Sequence, residues 1–98
     1  MDKILNFLGI ARRAGKLSLG FDAAEESVNR KRSELLILAC DVSERTRRSV
    51  EKISEKGNVK TVFSDIPMEH IGNAVGKTVG IISVNDKGFA KRLEELFA

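Results

Sequence analysis

At 98 residues, 42% hydrophobic and 32% charged, the chain has the size of one globular domain and is too apolar for a disordered segment. Its formal net charge of +3 and pI of about 9.2 suit an anionic partner without demanding one. A single cysteine excludes an internal disulfide and a thiolate zinc site, and no apolar run approaches the roughly 20 residues of a bilayer span, so one cytoplasmic domain over residues 1–98 is expected.

The first helix is expected from about Asp2 to Ala14, where Ile4, Leu5, Leu8 and Ala11 recur at helical spacing and Gly15 stands where helices commonly end. Ile4–Leu8 is too short, and too soon followed by Arg12-Arg13, for a secretory signal. Arg12, Arg13 and Lys16 bring positive charge to the end of the helix dipole that favours it. Leu17-Ser18-Leu19 alternates as a short strand, and Gly20 opens a second helix over roughly Asp22–Arg32, with Ala24 and Val28 inward and the placement of Phe21 open.

Leu35–Cys40 is a continuous apolar run, the mark of a central strand covered on both faces, which makes Cys40 a buried, inert thiol. Ser43 suits the N-cap of a helix from Glu44 to about Lys56, buried through Thr46, Val50 and Ile53 and ended by Gly57. Val59–Phe63 reads as the next strand. Ser64 or Asp65 then caps a short helix with Pro67 in its first turn and Met68, Ile71 and Val75 on its inner face. Val79–Val84 is the last strand, and Asp86 caps a final helix carrying Phe89, Leu93, Leu96 and Phe97. The order αβαβαβαβα implies an α/β fold, a three-layer α-β-α sandwich around a mixed, roughly four-stranded sheet.

Gly72-Asn73-Ala74-Val75-Gly76-Lys77-Thr78 has the residue types of a phosphate-binding loop. Yet three residues rather than four separate its glycines, and it leaves a helix to enter a strand, the reverse of what that motif's mechanics need. His70 stands without a partner constellation and reads as structural or solvent-facing. No side chains are spaced for acid–base or nucleophilic work, so neither an enzyme nor a cofactor or metal is expected. Arg45, Arg48 and Lys52, with Arg47 adjacent, make one flank of the third helix cationic, although Glu44, Glu51 and Glu55 interleave with them as on a solvated face. The five Phe are the only aromatic residues, and Phe7, Phe63, Phe89 and Phe97 fall at core positions, which argues against base stacking on an open sheet.

Over nearly its whole length the chain resembles the ribosomal proteins of the L7Ae and L30e type, most closely the small bacterial YlxQ-like group. The resemblance rests on Gly15-Lys16 before a short strand, Gly20 opening the second helix, the apolar Leu35–Cys40, Asp41-Val42-Ser43 with Thr46, Gly72 followed by Gly76-Lys77, and Asp86-Lys87-Gly88-Phe89-Ala90. It implies the same sandwich and, in many members, binding of the kink-turn, a sharply bent RNA element with sheared G·A pairs. In those members the start of the second helix enters the RNA groove, and the loop before the last strand presses on extruded bases. The corresponding surfaces here are Gly15–Glu26 and Gly76–Gly80. The implied RNA-binding residues are Lys16, Ser18, Gly20, Phe21, Asp22, Ala23, Glu26, Gly76, Lys77 and Thr78.

Kink-turn binders carry Asn, Glu and Lys where this chain has Asp22, Ala23 and Glu26. Two functions are therefore in view. One is a non-enzymatic, monomeric protein that binds structured RNA, ribosomal or kink-turn-like. The other is a protein-interaction module that keeps the scaffold and docks a ribosomal or RNA-processing protein at the same edge, as the acidic Asp22 and Glu26 favour.

Overall fold

The computed structural model describes residues 2–98. Helices and strands alternate as α1 (Asp2–Arg13), β1 (Leu17–Leu19), α2 (Phe21–Asn29), β2 (Leu35–Leu38), α3 (Glu44–Gly57), β3 (Thr61–Phe63), α4 (Met68–Val75), β4 (Ile81–Val84) and α5 (Lys87–Phe97). The strands form one mixed sheet in the order β1-β4-β2-β3, with β2 and β3 parallel and the other neighbours antiparallel.

Alternation across the pleat divides the core in two. Leu35 and Ile37 of β2, with Ile82 and Val84 of β4, are covered by Leu8 and Ala11 of α1, Ile71 and Val75 of α4, and Ala90 and Leu93 of α5. Leu36, Leu38 and Ile81 pack on the opposite face beneath Ala24 and Val28 of α2 and Val50 and Ile53 of α3. Both faces of the central strands are closed to water, which explains their unbroken apolar sequence and makes the molecule an α-β-α sandwich.

Local details depart from expectation. Strand β2 stops at Leu38; Cys40 lies in the following turn, where its N–H donates to Ile66 O (3.0 Å) and its thiol is exposed rather than buried. Phe63 is not core but 48% exposed, because it ends the edge strand β3, and the Arg47 guanidinium lies 4.7 Å from its ring centroid. Thr46 is half-buried, not buried. Helix α2 spans Phe21–Asn29, and Lys31 turns the chain with φ 59° before Arg32.

Gly57 does not end α3 by its conformation. It is the last helical residue, where a Cβ would come within 2.2 Å of Val28 Cγ1, so its bareness lets α2 and α3 close; the left-handed residue is Asn58. Pro67 is the N-cap of α4 rather than a first-turn residue, and neither Ser64 nor Asp65 caps that helix. Ser64 Oγ instead donates to Leu38 O (2.6 Å), and Asp41 Oδ1 accepts the Met68 N–H (2.9 Å).

Candidate functional site

Strand register sets one end of the sheet. Phe63 pairs with Leu38, Leu38 with Ile81, and the Gly20 N–H donates to Ile81 O (2.9 Å), so these four residues form a row across all the strands. The starts of α2, α3 and α4 and the loop entering β4 meet at this rim. A Cβ on Gly20 would lie 3.9 Å from Val79 Cγ1, so that loop flanks the tip of α2.

The tip is bare. Gly20 is the N-cap with φ 92°, a conformation that side chains disfavour, and no side chain caps the helix. Ala24 N–H to Gly20 O (3.0 Å) is the first intrahelical bond, which leaves the N–H groups of Phe21, Asp22 and Ala23 ahead of it. Helices α3, α4 and α5 differ: Ser43 accepts the Thr46 N–H, Asp41 the Met68 N–H and Asp86 the Phe89 N–H. The positive pole of α2 thus faces outward, accompanied in its first turn by the exposed Asp22 carboxylate.

The neighbouring loop is shaped by close approach. Gly76 closes α4 in the left-handed region (φ 85°), and Arg12 Nε donates to Val75 O (3.2 Å), fastening the end of α4 to α1. A Cβ on Gly72 would stand 3.0 Å from Thr78 Cα, and one on Gly80 2.6 Å from Val42 Cγ1, so both glycines let the loop lie against its neighbours. The segment from Gly72 to Thr78 runs from helix into strand and forms no phosphate-binding loop of the strand-to-helix kind. Beside it a shallow cavity of about 190 Å³ opens between Phe21, Val42, Thr46, Met68, Gly80 and Ile81.

The structure gathers only part of the implied site. Gly20, Phe21, Asp22 and Ala23 make the α2 tip, with Phe21 half-buried against α3, and Gly76, Lys77 and Thr78 lie on the loop whose far end abuts that tip. Lys77 and Thr78 are exposed. Glu26 lies a turn further along α2 and pairs with Arg30 (3.1 Å), so its charge is partly answered within its own helix.

Ser18 and Lys16 are not brought to the tip. Ser18 Oγ shares a 2.7 Å bond with Ser27 and accepts from Asn85 Nδ2 (2.8 Å); Ser83 Oγ donates to Asn85 Oδ1 (2.6 Å) and shares a 2.7 Å bond with Ser33. The hydroxyl of the half-buried Ser18 is therefore engaged in a polar chain between β1, α2 and the end of β4. Lys16 accepts at its carbonyl the Asn85 N–H, at the other end of β1 and about 13 Å along the strand from Gly20.

Sequence reasoning included Val79 and Gly80 in the Gly76–Gly80 surface without singling them out as the residues that meet the tip, and it missed Arg12 as the clasp on α4. A glycine just before an apolar strand was a readable sign of close approach, and Glu26 to Arg30 is a readable i,i+4 pair. Among the described residues no group of three or more His, Cys, Asp or Glu could hold a metal ion, and no helix is long and apolar enough to cross a membrane. His70 is exposed and lines an open groove between α1 and α4 with Asn6, Arg13 and Asn73.

Comparison with known proteins gives a consistent set of relatives. The model of the ribosomal protein L7Ae/L30e/S12e/Gadd45 family matches residues 2–94. The chain is 31% identical to the RNA-binding protein YlxQ of Enterococcus faecium over 96% of its own length and 90% of that protein's. It is 30% identical to the RNA-binding protein YlxQ of Bacillus subtilis, over 91% and 89% of the two chains. A solved structure of a protein of unknown function from Bacillus halodurans superposes with a TM-score of 0.90 at 27% identity, covering 97% of this chain and 96% of that one.

Proposed function

Because the chain belongs to the ribosomal protein L7Ae/L30e/S12e/Gadd45 family, we propose that it is a non-enzymatic, monomeric RNA-binding protein of the cytoplasm. It takes structured RNA, a kink-turn or similarly bent element of ribosomal or related RNA, at the α2 tip and the Gly76–Gly80 loop. The observation that carries this reading is the Gly20 N–H to Ile81 O bond, which ties an uncapped helix start to the first residue of β4, next to the lysine-bearing loop. Free N–H groups and the dipole attract phosphate, Lys77 adds a point charge, and the cavity beside Gly80 offers an apolar wall to an unstacked base. Recognition is by shape, since Asp22 and Ala23 have little with which to read base edges.

A titration with a kink-turn duplex and a straight duplex of equal length, at matched salt, tests the reading. The expected result is tighter binding of the bent element by at least roughly tenfold; equal affinities sink it. Asp22 at the tip favours a protein partner as the second reading. Nuclease treatment of a lysate separates the two, because it releases an RNA-held protein from ribosomal particles and leaves a protein-held one attached.

A further inference from the structure

We infer that Phe63 and Arg47 form a second RNA contact, a stacking platform for an unpaired nucleotide that flanks the folded element held at the α2 tip. This rests on the proposed RNA reading and extends it to a surface outside the tip and loop.

Phe63 and Ile10 are the exposed large hydrophobic residues of the described chain, and Phe63 is the aromatic one. An aromatic ring at an edge strand costs solubility when nothing covers it. Here Arg47 lies over it, with the guanidinium carbon 4.7 Å from the ring centroid, and nearly half of the residue's surface remains open. A planar cation stacked on a ring presents a flat, electron-poor surface on which any nucleobase can stack, with hydrogen-bond donors at its margin for a phosphate.

Position supplies the link to the first site. Phe63 stands in the same row as Leu38, Ile81 and Gly20, three strand spacings or about 14 Å from the α2 tip, and on the same end of the sheet. Val62 packs into the core shared with α1, α4 and α5, so alternation turns Phe63 to the α2 and α3 side, where the tip of α2 also lies. Between them the first turns of α3 carry Arg45 and Arg48, the latter 3.5 Å from Glu44, and Arg45 borders a cavity of about 190 Å³ with Phe21, Thr46 and Ser49. The path from tip to platform is shallow, and Arg45 and Arg47 offer it positive charge beside the Glu44-paired Arg48, a form that suits a strand leaving a folded element, with sequence-tolerant stacking at its end.

The test compares a blunt kink-turn duplex with the same duplex bearing a short oligouridine tail at either end, against the wild-type chain, Phe63→Leu and Arg47→Lys. Phe63→Leu keeps the apolar bulk and Arg47→Lys keeps the charge, and thermal melts establish that both fold. One tail is expected to tighten wild-type binding by roughly five- to a hundredfold. Phe63→Leu should lose that gain, Arg47→Lys should reduce it, and all three proteins should bind the blunt duplex alike. A tail that adds nothing to the wild-type protein, or a gain that survives Phe63→Leu, overturns the inference. So does a Phe63→Leu variant with unchanged RNA binding that no longer copurifies with a protein partner. If the wild-type chain does not prefer the blunt bent duplex to a straight one, the proposed function fails by itself. The platform is then judged on the tail attached to the straight duplex, where a Phe63-dependent gain supports it and no such gain overturns it.

Discussion

The two ends of β1 handle polar groups in opposite ways. Towards Asn85, the hydroxyls of Ser18, Ser27, Ser33 and Ser83 and the amide of Asn85 close on one another in one hydrogen-bonded chain. Towards Gly20, the first N–H groups of α2 point outward with no side chain to receive them. Only a few residues separate a fully answered polar network from an open one. The first end holds strands and helix together, and the second leaves its donors to solvent, the end at which the proposed function seats RNA.

Substitutions can break this contrast. Asn85→Ala should have the largest effect on stability, since it strips partners from both Ser18 and Ser83; a loss of about 2–4 kcal/mol, read as a lowering of the melting temperature by roughly 10–20 °C, is expected, with RNA affinity intact at low temperature. Gly20→Val comes next, because a β-branched residue at φ 92° is strained by about 1–3 kcal/mol; calorimetry should show the strain and titration the weakened binding.

Lys77→Ala should leave stability within about 0.5 kcal/mol while weakening RNA binding and flattening the log–log salt dependence by about 0.7 to 0.9. Lys16→Ala, at the answered end, should change that slope least. Equal changes from the two lysines would show that the RNA covers both ends of β1 and that the contrast carries no function.

Much of this was legible from local chemistry. Ser43 and Asp86 announce α3 and α5 because a cap acts within one helical turn, and Leu35–Leu38 reads as central because both its faces are apolar. Gly20 and Gly76 are legible for the same reason, each standing at a helix end in the positive φ that glycine makes easy.

What stayed hidden is tertiary. Asp41 caps α4 from 27 residues away, Gly57 is small because Val28 faces it, and Ser18 turns inward only because β4 brings Asn85 alongside. Phe63 was read as core from its apolar neighbours, whereas exposure depends on β3 being an edge strand, a property of strand order and not of spacing. Placing Lys16 with Gly20 failed similarly, for adjacency in sequence across a strand is separation in space.

Strand order also bears on how the chain reaches this shape. The strand that pairs with both β1 and β2 is β4, the last of the four to be synthesised. Until Ile81–Val84 is available, β1 has no neighbour and β2 only β3, so the four-stranded sheet cannot close before its last strand arrives.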